Sequence, residues 1–201
     1  MGNAITGAGA RGFSRLTWQD CPADSLFRAA VARIAAPNRD QAVSESPSHA
    51  LRAARPQDMP ALQRLINHYA AQDEMLPRTL GELYENVRDF TVCELDGRIV
   101  GCVALHLIWA DLAEVKSLAV VEGAQGCGVG TALVRSAVDE AGRMGVPRVF
   151  ALTFRPSFFE RLGFRRIDKQ ELPQKIWGEC IRCHKFPDCN EQAVLLDLLP
   201  A

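Results

Sequence analysis

Three glycines at alternate positions constrain this chain most. They lie in Gln125-Gly126-Cys127-Gly128-Val129-Gly130-Thr131, between the apolar run 115–121 and a segment of helical period. Glycine has no Cβ, so a ligand can approach the main chain closely at such a loop. With a strand before it and a helix after it, the loop amides and the positive helix end form an anion site, most simply for phosphate. The expected fold is therefore a mixed α/β (α+β) domain holding a diphosphate-containing cofactor. No Gly-Lys-Ser/Thr follows, which excludes a Walker loop. The loop comes after the fourth strand and its last glycine gap is one residue, which argues against a dinucleotide fingerprint.

Regular patterning begins at His49. Residues 51–55 read as a strand. Pro56-Gln57-Asp58 then opens a helix with Leu62, Leu65, Ile66 and Tyr69 on one face. Thr79 with Glu82 has capping-box spacing and starts a second helix over 79–87. Strands at 90–95 and 99–107, joined at Asp96-Gly97, predict a hairpin. A fourth strand, 112–121, feeds the loop. The next helix carries the stripe Leu133, Val134, Ala137, Val138, Ala141 and Met144, and stops at Gly145 and Pro147. A strand at 149–152, a short helix at 157–162 and strands at 164–167 and 193–198 complete the order. The expected sheet is mixed, with about six to seven strands flanked by helices.

Residues 1–48 are rich in Ala, Arg, Ser, Gly and Pro, with a short helical pattern at 24–35, and are expected to be a disordered extension. One domain is expected over 49–201, with a cysteine-rich segment at 173–191. The net charge of −1 gives no electrostatic case for nucleic acid or an anionic membrane. No apolar run approaches the roughly 18 residues of a membrane span. The absence of an apolar signal core makes the cytoplasm the expected compartment. With seven cysteines in such a compartment, a disulfide framework is not expected.

Val115-Lys116-Ser117-Leu118-Ala119-Val120 followed by the glycine loop resembles the acetyl-CoA site of the GNAT acyltransferases. Phe158-Phe159-Glu160-Arg161-Leu162-Gly163-Phe164 is similar to their second signature, an aromatic residue followed by Gly-Phe. A narrower likeness runs through the segments 52–58, 76–79, 89–94, 99–106 and 152–155. Their order is similar to the acetyltransferase domain of the N-acetylglutamate synthases, in a short form without the amino-acid-kinase domain. The likeness covers about residues 50–200.

The resemblance implies acetyl-CoA as co-substrate, lying where the fourth and fifth strands splay apart. Its diphosphate is expected on Gln125, Gly126, Cys127, Gly128, Val129, Gly130 and Thr131, and its pantetheine along Leu118, Ala119 and Val120. The implied acceptor is a small-molecule amino acid, L-glutamate, attacking directly within a ternary complex. Its α-ammonium needs a base. Glu114 matches the family's acidic residue and is the leading candidate, acting through water; His106 is the second. Arg155, with Arg78 and Lys116 behind it, suits a substrate carboxylate. Many relatives use a tyrosine acid at the position of Phe159, so here the leaving thiolate takes its proton from solvent or from the departing ammonium. Homodimerisation is a possibility by analogy with the fold.

Cys180, Cys183 and Cys189, with His184 alongside, do not fit this pattern. A zinc site, a Cys-x-x-Cys redox pair and a substrate-side segment with reduced thiols all remain open, with no metal as the main expectation. A haem attachment site is the remotest of these readings. Two other functions also remain: acetylation of glutamine, another amino acid or another small amine, and metal or thiol-redox sensing on the same fold.

Overall fold

The computed structural model describes residues 49–173 and 190–198. The extension 1–48 and the cysteines Cys180, Cys183 and Cys189 lie outside the described residues. The elements are β1 (His49–Ala53), α1 (Met59–Ala70), α2 (Leu80–Glu85), β2 (Phe90–Leu95), β3 (Arg98–Trp109), β4 (Leu112–Val120), α3 (Val129–Arg143), β5 (Arg148–Thr153), α4 (Pro156–Glu160), β6 (Arg165–Ile167) and β7 (Gln192–Asp197). Seven strands form one sheet in the order β1-β2-β3-β4-β5-β7-β6. Only the β4–β5 pair is parallel.

Local chemistry explains the boundaries. Asp96 and Gly97 have φ of 48° and 74°, the signs of a type I′ turn, and Leu95 pairs with Arg98 across it. Thr79 caps α2 as its spacing predicts. Its hydroxyl accepts from the Glu82 amide at 3.2 Å, and the Glu82 carboxylate accepts from the Thr79 amide at 2.8 Å. The helix expected over 79–87 stops earlier, at Glu85. Asn86 leaves helical geometry at φ −110° and its side-chain amide donates to the Glu82 carbonyl at 2.7 Å. Before α1, the Asp58 carboxylate accepts from Arg52 and from the Arg55 amide, both at 2.7 Å.

Alternation along β2 and β3 splits the core between the two faces of the sheet. On one face Cys93, Leu95, Val103, Leu105 and Val115 meet Leu133, Val134, Ala137 and Ala141 of α3. On the other, Phe90, Val92, Cys102 and Ala104 meet Met59, Leu62, Ile66 and Tyr69 of α1. Each buried leucine or isoleucine contributes roughly 1.5–3 kcal/mol relative to exposure, so packing rather than helix propensity holds these helices down. A smaller cluster of Leu112, Phe150, Leu172, Ala193 and Leu195 supports the β5–β7 side.

Two irregularities of β4 create the site. The register against β3 moves from Ala104↔Lys116 to Cys102↔Ala119, three residues of β4 opposing two of β3. Ser117 absorbs the extra residue at φ 52°, a β-bulge. On its other edge, β4 meets β5 only at Ala113↔Val149 and Glu114↔Phe150. Beyond Glu114 the two strands diverge.

Candidate active site

After β4, Val121 is held by its amide on the Val100 carbonyl at 2.9 Å, and residues Glu122–Ala124 make one 3-10 turn. The glycine loop then enters α3. Gly126 and Gly128 have φ of 77° and 83°, left-handed values that a side chain would strain. The amide of Ala132 is the first in α3 to bond backward, to the Gly128 carbonyl at 2.9 Å. Among the described residues the amides of Gly126, Gly128, Val129, Gly130 and Thr131 have no acceptor. These donors, together with the positive end of α3, fit the diphosphate expected there.

The loop is tied to α1. The Tyr69 hydroxyl donates to the Val120 carbonyl at 2.5 Å and accepts from the Gln125 side-chain amide at 2.8 Å. The same Gln125 amide reaches the Val120 carbonyl at 3.2 Å. Burial, the dominant influence, raises the Tyr69 hydroxyl above the usual phenol range, so it stays a donor at neutral pH. Sequence reading placed Tyr69 only in the core face of α1. The polar role of its hydroxyl depends on a strand end 51 residues away.

A cavity of about 1060 Å³ runs from the loop along the open edge of β4 to the ends of β3 and β5. It is lined by Leu118, Ala119, Val120, Gln125, Gly126, Gly128, Gly130 and Thr131 at the loop end, and by Arg78, His106, Glu114, Lys116 and Arg155 at the other. These are the residues singled out from the sequence, with two exceptions. Val129 is buried in the core, 4% exposed, so it offers only its amide. Cys127 does not line the cavity; its sulfur is in a disulfide, although a disulfide framework is not expected from the sequence.

His106 and Glu114 are cross-strand partners, so their side chains share one face. Glu114 is buried, with Lys116 Nζ 3.6 Å from its carboxylate. His106 Nδ1 lies 2.6 Å from Asp89 Oδ2. Arg155 donates to Glu74 at 2.9 Å across the cavity. The backbone of Arg78 is clamped by Asn67, whose side chain takes the Arg78 amide at 2.8 Å and gives to its carbonyl at 3.1 Å. Asp89 opens the 89–94 stretch that carries the family likeness, and Glu74 sits in no motif; neither was given a role from the sequence, because each gains its meaning from a distant partner.

Phe159 lines the cavity and stacks edge-on against Phe158 and Phe164, with centroids 5.2 and 5.3 Å away, so it supplies no proton. Burial pushes Cys93 up to about 11 and Cys102 up to about 12, which removes both as thiolate nucleophiles at neutral pH. Among the described residues no group of three or more His, Cys, Asp or Glu is placed to hold a metal ion, and no helix is long and apolar enough to cross a membrane. The zinc reading of Cys180, Cys183 and Cys189 falls outside the described residues.

Comparison with known proteins agrees with this geometry. The model of the acetyltransferase (GNAT) family matches residues 52–164. An uncharacterized N-acetyltransferase of Chlorobaculum tepidum is 38% identical over 148 residues, covering 74% of this chain and 96% of the relative. An amino-acid acetyltransferase of Mycobacterium tuberculosis is 38% identical over 137 residues, covering 67% and 78%. The crystal structure of N-acetylglutamate synthase from Neisseria gonorrhoeae, complexed with coenzyme A and N-acetyl-glutamate, superposes with a TM-score of 0.70 at 28% identity. That match covers 78% of this chain and 37% of the synthase.

Proposed function

The chain belongs to the acetyltransferase (GNAT) family, with acetyl-CoA as its acyl donor, and from that premise we propose that it acetylates the α-amino group of L-glutamate. The observation that carries the reading is the pairing of two half-sites in one cavity. Unbonded loop amides face one end, and a Glu114–His106–Arg155 group faces the other, with the open edge of β4 between them.

Acetyl-CoA supplies an activated thioester. The loop amides bind its diphosphate. The main chain of Leu118–Val120 bonds the pantetheine, and an amide there polarises the thioester carbonyl. Glu114 and His106 handle the proton of the substrate ammonium. Arg155, with Arg78 and Lys116, takes up carboxylate. Transfer is direct, within a ternary complex. The names of the M. tuberculosis and N. gonorrhoeae relatives support an amino-acid acceptor; arginine biosynthesis in the cytoplasm is the setting we propose for it.

One observation favours a second reading. Arg155 and Lys116 each face a carboxylate of the chain itself, Glu74 and Glu114. An acceptor with a neutral side chain, such as glutamine, brings one carboxylate fewer to compete for those cations. Steady-state CoA-thiol release with glutamate, glutamine and a panel of other amines, with products identified by mass, decides between them. The highest kcat/KM for glutamate is expected; a clear preference for glutamine would overturn the glutamate assignment.

A further inference from the structure

Asp89 ends a 3-10 turn, Val87–Asp89, immediately before β2. Phe90 pairs with Ala104, so this turn sits beside the stretch of β3 that carries His106. Asp89 Oδ2 and His106 Nδ1 are 2.6 Å apart. Among the described residues the Asp89 side chain bonds to nothing else. A carboxylate only accepts, so the ring proton must lie on Nδ1. A neutral ring held this way has its lone pair on Nε2, at the opposite edge. His106 lines the cavity and Asp89 does not, so the carboxylate backs the ring and stays off the substrate.

We propose that Asp89 is a positioning residue that fixes the tautomer and direction of His106, and that His106 Nε2 is the base that deprotonates the acceptor ammonium. This rests on the reading of the acceptor as a small amine. Glu114, paired in register with His106, already faces Lys116 at 3.6 Å; its charge stabilises the imidazolium as it forms. In the step itself, an ammonium N–H bond breaks and its proton passes to Nε2. The amine attacks the thioester carbon, the N–C bond forms, and the C–S bond breaks with its electron pair leaving on sulfur. The second amine proton goes to that thiolate, giving the CoA thiol, and the imidazolium returns its proton to water.

The test has two arms, both on the full chain. In the first, nitrogen-15 NMR at alkaline pH reads the His106 tautomer. A proton on Nδ1 in the wild type, moving toward Nε2 in Asp89→Asn, is expected; a wild-type proton on Nε2 would overturn the proposal. In the second arm, Asp89→Asn is expected to lower kcat about 10²-fold without weakening acetyl-CoA binding by calorimetry. Asp89→Glu should restore part of the rate. His106→Gly should lose activity similarly and regain it with added imidazole, and the double variant should cost little more than either single one. An unchanged kcat in Asp89→Asn, a parallel fall in rate, melting temperature and acetyl-CoA affinity, or no imidazole rescue would each sink the assignment. If no amine in the panel is acetylated, the acceptor reading falls by itself, and the tautomer arm still decides Asp89.

Discussion

The hydroxyl of Tyr69 donates to the carbonyl of Val120 at 2.5 Å, joining the end of α1 to the strand that delivers the glycine loop. Through Gln125 the same hydroxyl also holds the first residue of the loop. Tyr69→Phe keeps the packed ring and removes both bonds. At about 1 kcal/mol per hydrogen bond, acetyl-CoA affinity should fall roughly fivefold or more, read as Kd by titration calorimetry. Circular dichroism should stay native.

Gly128→Glu should abolish acetyl-CoA binding. The residue sits at φ 83° at the mouth of α3, and the substitution brings both backbone strain and a negative charge to an anion site. Calorimetry checks this. Retained affinity would show that the diphosphate binds elsewhere.

Glu114→Gln removes a buried charge beside His106 and Lys116. We expect kcat to fall about tenfold, the loss of ~1.4 kcal/mol of transition-state stabilisation. Acetyl-CoA KM should hold. Initial rates at saturating acetyl-CoA measure it, and an equal rise in acetyl-CoA KM would assign Glu114 to donor binding instead.

Arg155 and Glu74 should give opposite results. The Glu74 carboxylate occupies Arg155 at 2.9 Å, where a substrate carboxylate would compete for the same guanidinium. Arg155→Ala should raise KM for glutamate about tenfold. Glu74→Gln should lower it, with acetyl-CoA KM unmoved in both. Unchanged glutamate KM in both variants would place the substrate carboxylate on other groups.

Asp58 governs an acid limb of stability. Its carboxyl is held below the ordinary 3.8, chiefly by the hydrogen bond from Arg52. A depressed native value means the folded state binds fewer protons than the unfolded one. The stabilisation is therefore complete above the ordinary carboxylate value, and is lost as pH falls through it toward the native one. Asp58→Asn should cost ~2 kcal/mol at neutral pH and progressively less in acid. Thermal melts across pH compare the two proteins; parallel melting curves would contradict the linkage.

Local signals carried most of the fold. The Thr79–Glu82 cap, the Asp96-Gly97 turn and the one-face stripe of α3 each lie within a few residues of sequence, where capping, turn chemistry and periodicity act. The glycine loop itself was legible for the same reason, because glycines between a strand and a helix are a local pattern. The bulge was not. Ser117 takes φ 52° because β3 and β4 count differently across the ladder, and no residue type announces that. Tyr69, Glu74 and Asp89 were missed alike. Their partners lie 51, 81 and 17 residues away; for Tyr69, moreover, a polar tip on an otherwise apolar helix face reads as core.

The divergence of β4 from β5 above the Ala113 and Glu114 rungs divides authorship of the chemistry. In the function we propose, main-chain groups of a forked sheet write the donor half, so many side chains along that seam are free to drift without disturbing it. In that same reading, side chains from β3, β4, the segment before α2 and the β5 tip write the acceptor half. A lineage built on such a fork can exchange one amine for another by altering a few outward tips, while the groove that grips the thioester carrier stays as it was.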